Sequence, residues 1–149
     1  MRMKLEIVIL CMVAIIAITG SLLAEVPNRS PEQLKTTATH IVTGEVLHIY
    51  QRSERQGAAN YDRYLAECRV KTVEHGDGDE AGSLIYVRYF TKRNPPGVTD
   101  TAGHHGQPVQ GDSVRIYLAR NASEGYDDDN NDGGFNVVFP NGFEKLETP

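Results

Sequence analysis

From about residue 40 onward the chain alternates apolar and polar residues with a period of two, the pattern of half-buried strands. It is clearest at 112–120 (DSVRIYLAR), where Val114, Ile116 and Leu118 fall on one side. Residues 61–75 form a longer alternating run, closed by the turn-forming Gly76-Asp77-Gly78-Asp79. Residues 40–52 (HIVTGEVLHIYQR) are rich in β-branched residues, and Gly44 in their midst predicts a bulge or sharp bend. At 83–92 (SLIYVRYFTK) the apolar and aromatic character is continuous, which predicts contact on both faces. Residues 135–139 read as a fifth strand, with 143–146 its extension beyond a Pro140-Asn141-Gly142 turn.

Three segments depart from this pattern. Ser30-Pro31-Glu32-Gln33 places Ser at an N-cap, Pro at the first helical position and Gln three residues on, a capping-box start. Thr36, Thr37 and Thr39 limit the helix to one or two turns, ending near Ala38. Residues 94–110 (NPPGVTDTAGHHGQPVQ) carry three prolines and three glycines and read as a long irregular connection, the kind of loop that often carries function. Residues 122–134 (ASEGYDDDNNDGG) read as an acidic hairpin tip.

The first 24 residues change the picture of the whole chain. Arg2 and Lys4 precede an apolar run from Ile7 to Ile18, and small residues follow up to Ala24. That is the layout of a secretory signal peptide, with cleavage expected after Ala24. An uncleaved anchor would need a longer apolar run than Ile7 to Ala24 provides comfortably. Acylation of Cys11 would need a small residue before it, and Leu10 stands there. Residues 25–149 are then a single domain.

Without Arg2, Lys4 and Glu6, the 15 basic and 20 acidic residues fall to 13 and 19, and the net charge moves from −5 to −6. Such a domain is poorly suited to nucleic acid or to anionic lipid, so neither nucleic-acid binding nor membrane attachment after cleavage is expected. Of the two cysteines only Cys68 remains, so no disulfide forms within the domain. Its neighbours Ala66 and Val70 place it on the apolar side of its strand, as a small buried side chain.

Five strands, a bent first strand and a long excursion between the third and fourth predict an all-β domain. The expected form is a small five-stranded Greek-key barrel of the OB type with a short N-terminal helix. The helix start Ser30-Pro31-Glu32-Gln33-Leu34 leads into Thr39-His40-Ile41-Val42-Thr43-Gly44-Glu45-Val46. Later Val109-Gln110-Gly111-Asp112-Ser113-Val114 opens a strand that reaches Tyr117-Leu118. Over residues 30–146 this arrangement resembles the netrin-like domains, which include the inhibitory domain of tissue metalloproteinase inhibitors and exported bacterial relatives. Inhibitory members place a disulfide-bonded N-terminal cysteine at the protease zinc. Here the processed chain would start at Glu25 with no cysteine nearby, so the resemblance does not imply that activity.

Candidate chemistry is sparse. Asp128-x-Asn130-x-Asp132-Gly133 matches the first half of an EF-hand-like calcium loop, with Asp127 adjacent. The twelfth position is Phe139, so the bidentate glutamate is missing, and a solvated turn explains the same residues. Calcium at Asp127, Asp128, Asn130 and Asp132 is therefore one expectation, with no cofactor as the other. His104 and His105 stand between Gly103 and Gly106 in the long loop. They read either as an exposed pair or as part of a metal-dependent hydrolase site completed by Glu45 and His48, or by Asp100. Arg88, Lys92 and Arg93 interleave with Tyr86, Tyr89 and Phe90, as on a ligand-binding OB face, although alternate aromatics there must fill the interior.

No Gly-x-Ser-x-Gly, His-Glu-x-x-His, Cys-x-x-Cys or phosphate-loop motif occurs. The reading with most support is an exported, non-catalytic binding module for a protein or small ligand. Arg88, Lys92, His104 and His105 are its candidate contacts.

Overall fold

The computed structural model describes residues 26–78, 80–97, 102–119 and 134–147. The leader over 1–24, Asp100 and the candidate calcium ligands Asp127, Asp128, Asn130 and Asp132 lie outside the described residues.

Helix α1 (Pro31–Thr37) begins as its sequence demands. The Ser30 hydroxyl accepts from the Gln33 N–H, and the Gln33 side chain accepts from the Ser30 N–H at 2.8 Å. The helix is a single buried anchor: Leu34 packs with Ala38, Ile41, Tyr117, Ala119 and Val138 in a small cluster of its own.

The rest is β-structure: β1 (His40–Gln56), β2 (Ala59–His75), β3 (Leu84–Arg93), β4 (Ser113–Ala119), β5 (Phe135–Val137) and β6 (Phe143–Lys145). The strands run β1-β2-β3-β5-β4 and β4 pairs back onto β1, so five strands close a ring. All ring pairings are antiparallel except β3 with β5, which run parallel at Val87↔Phe135 and Arg88↔Asn136. The sixth strand adds to β4 beside β5, so the expected extension of the fifth strand pairs on its own account. Side chains that alternate inward fill the ring, among them Val42, Val46, Cys68, Val87, Ile116 and Leu118, all fully buried.

Two features of β1 shape everything around it. Gly44 lies where the strand turns from β4 toward its far end, and a Cβ there would sit 2.5 Å from the Arg69 carbonyl oxygen. The register against β2 also slips between Val46 and His48. One extra residue there moves the inward side chains from the even positions to the odd ones, so Ile49 rather than Tyr50 packs against the core.

Strands β1 and β2 each run 17 residues and meet in a Gly57-Ala58 turn, with Gly57 at φ 61°. The sequence pattern ends β1 at Arg52, because Ser53 to Gln56 is polar and Gly57-Ala58-Ala59 brings no large apolar side chain. Polar pairing carries the strands on: Ser53 donates to Asp62, and Glu54 is paired with Arg52 and Arg63.

Candidate functional site

The long connection is a strap fastened to the ring. The Lys92 N–H donates to the Ala102 carbonyl, the His104 N–H to that of Phe90, and the His105 N–H to that of Pro140, at 2.7–2.9 Å. Gly103 bridges Thr91 at φ 140°, and a Cβ there would come within 2.8 Å of the Thr91 Cα. Only glycine lets the strap lie this close to β3.

His104 follows immediately and is turned inside, 3 % exposed. Beyond their short parallel pairing β3 and β5 separate, and the imidazole fills the gap between them. The Phe90 N–H and the Phe90 carbonyl lie 3.2 and 3.3 Å from its Nδ1, and its Nε2 lies 3.0 Å from the Val137 carbonyl. A carbonyl only accepts, so Nε2 carries a proton and donates to Val137. Burial pushes its pKa down, more strongly than the Val137 and Phe90 carbonyls raise it, which favours the neutral ring with Nδ1 accepting from the Phe90 N–H. Phe90 and Phe139 meet the ring edge-on at 5.2 and 5.5 Å. His104 acts as a rung between two strands that have parted.

The other candidate residues do not converge on it. His105 turns away, with Nδ1 2.7 Å from the Asn28 side-chain oxygen. Glu45 lies 3.8 Å from Lys71, and His48 is exposed beside Tyr50. Among the described residues no three His, Cys, Asp or Glu side chains are grouped to hold a metal ion. Arg88 and Lys92 share the outward side of β3 with Phe90 between them, and the Arg88 guanidinium lies over Gly134.

Of the strap's described glycines only Gly103 lies this close to backbone, and nothing local in the sequence marks it or the strand it approaches. Cys68 is fully buried, and burial pushes its thiol up to about 12. It therefore stays protonated and shielded at neutral pH. In a Cys11→Ser background, native protein is expected to react with a thiol reagent orders of magnitude more slowly than urea-unfolded protein. Rapid labelling of the native form would contradict this burial.

The sequence pointed to the face of the second and third strands through Tyr86, Arg88 and Lys92, and the structure extends that outer face onto β1 and adds Tyr50 and Leu84 to it. Tyr50 (52 % exposed), Leu84 (46 %) and Tyr86 (45 %) are three of the four large hydrophobic residues exposed among the described residues. Cross-strand register places His48, Glu67 and Tyr86 in one row and Tyr50, Leu65 and Arg88 in the next. The Tyr50 hydroxyl donates to Glu67 at 3.4 Å, and desolvation together with the charge on Glu67 pushes its pKa up. The result is an open platform of two tyrosines around a carboxylate.

A separate cleft of about 420 Å³ lies between α1 and the β4–β6 edge, with Leu34, Tyr117 and Phe143 as its apolar lining. Its Arg115 is already committed. The guanidinium Nε contacts both oxygens of Glu74 at 3.0 Å, and Nη1 contacts Glu144 at 2.9 Å. These carboxylates raise the Arg115 pKa further and hold it charged.

Comparison of the chain with protein-family models, curated proteins and solved structures returned no match.

Proposed function

We propose that the protein is an exported, non-catalytic binding module, freed of its leader after Ala24, that docks a partner protein on the outer face of β1, β2 and β3. The observation that carries this reading is the grouping of Tyr50, Tyr86 and Leu84 on one open sheet face. Half-exposed tyrosines with a polar tip and an apolar body are favoured contact residues in protein interfaces. A small ligand is better held in a concavity, whereas these three side chains stand about half exposed.

The fold reading that goes with it is a Greek-key barrel of the OB type, in the manner of netrin-like domains. Its support is the β1-β2-β3-β5-β4 order with the parallel β3–β5 contact. In such barrels the outer surface of the second and third strands is the usual binding side.

Tyr50→Ser with Tyr86→Ser should leave the urea midpoint nearly unchanged, since exposed substitutions shift stability by only about 0.5 kcal/mol. The same double variant should lose the partner recovered from the envelope fraction by wild type. Undiminished recovery would contradict the reading.

A small-ligand role has a specific observation of its own, the cleft beside α1. Its test is a ligand screen monitored at Tyr117, with Leu34→Trp as the blocking variant.

A further inference from the structure

Among the described residues, one edge of the sheet is left unpaired. On the side away from β2, β1 pairs with β4 from His40 to Glu45. Val46 continues that contact, donating to the Asp112 carbonyl at 3.0 Å and accepting from the Gly111 N–H at 2.7 Å. From Leu47 to Gln56, no strand among the described residues lies on that side. The direction of its backbone groups follows from the hairpin. Gln56 and Ala59 close a two-residue loop, and such a closing pair exchanges both hydrogen bonds. Counting back, Gln56, Glu54, Arg52 and Tyr50 direct their N–H and C=O at β2. Arg55, Ser53, Gln51 and Ile49 direct theirs at the empty edge. The other end agrees: Val46 points away from β2, and the slip between Val46 and His48 shifts the alternation by one.

We propose that two copies of the protein pair antiparallel along this edge of β1, about a two-fold axis at Ser53. The register is selected by exclusion. A two-fold axis on Arg52, Glu54 or Arg55 sets like charges directly opposite. An axis on Gln51 drives the second copy's Gly57-Ala58 tip against Glu45 and Gly44, where β4 already occupies the edge. An axis on Ser53 stops that tip opposite Ile49 and His48, clear of β4. It matches Ser53 with its own copy and Gln51 with Arg55 as hydrogen-bonded pairs. On the outer face it sets Arg52 of each copy opposite Glu54 of the other. Within each chain these two side chains are already joined at 2.7 Å, so the four charges alternate in a closed set. The interface goes beyond the partner-binding reading, because it uses the strand edge and leaves Tyr86 and Leu84 open.

Sedimentation equilibrium on the purified protein should show a reversible monomer–dimer balance. Arg55→Pro removes an N–H that donates nothing to β2, so the hairpin stays folded by circular dichroism while the dimer is lost. Arg52→Glu should weaken the dimer by about tenfold by facing Glu54 with a like charge in both pairs. The swap Arg52→Glu with Glu54→Arg should restore it. A protein monomeric at high micromolar concentration would overturn the proposal. So would a dimer indifferent to Arg55→Pro and Arg52→Glu, which would place the contact on another surface.

Discussion

Replacing His104 by alanine is expected to destabilise the protein by about 3–5 kcal/mol in urea unfolding at pH 7.5. The substitution leaves the Phe90 N–H and the Val137 carbonyl facing an empty space between β3 and β5. Each orphaned buried group costs about 1–3 kcal/mol. The ring contacts with Phe90 and Phe139 are lost as well. Glutamine offers one acceptor and one donor, so His104→Gln should recover a substantial part of the loss. If alanine and glutamine prove equally and mildly destabilising, His104 is not a rung.

The same residue sets a pH dependence. Its folded pKa lies below the unfolded value because burial disfavours the imidazolium. Between the two values the unfolded chain binds a proton that the folded chain refuses. Stability from His104 is therefore complete above about pH 6.5 and falls as the pH drops toward the lower folded value. Asp62 behaves similarly in a more acidic window. The Ser53 hydroxyl and the Arg93 guanidinium lower its pKa, so its contribution persists until the carboxylates titrate. On acidification the His104 loss comes first, and it should be absent from His104→Gln.

Gly44→Ala should be the second severe substitution, at about 3 kcal/mol. The new methyl would meet the Arg69 carbonyl oxygen at 2.5 Å and its carbon at 3.2 Å. Both belong to backbone held in the β1–β2 ladder, so neither can swing aside as a side-chain end would. Gly78 is the natural comparison. Nothing lies within 4 Å of a Cβ there, and only its φ of 94° opposes a side chain. Gly78→Ala should cost about 1 kcal/mol. Equal midpoints for the two variants would mean that β1 passes β2 less closely than described.

The strands were legible where alternation was apolar. Val114, Ile116 and Leu118, or Ile85, Val87 and Tyr89, announce an inward face, and the second set places Tyr86 outside by parity. The far ends of β1 and β2 were not legible, because Ser53, Glu54, Asp62 and Arg63 hold them by polar pairs that leave no hydrophobic signal. Tyr50 was hidden for a different reason. Strict alternation from Val46 would send it inward, and only the slip after Val46 turns it out. For His104 no local signal exists. Its bonds to Phe90 and Val137 span 14 and 33 residues, and a Gly- and Pro-rich context reads as exposed. In Arg88, Lys92, His104 and His105 the sequence thus shows the residue type, whereas their positions depend on long-range packing.

In the proposed division of labour, the strap residues 102–110 serve the ring, while the outer face of β1–β3 meets the partner. The most direct measurement is photocrosslinking in the producing cells, with a benzophenone amino acid at Tyr86 or, separately, at Val109. Both positions are exposed, at 45 % and 60 %, and Val109 belongs to the strap. A discrete crosslinked species from position 86 and none from position 109 is the predicted result. A species from position 109 alone would move the binding surface to the strap and contradict the account.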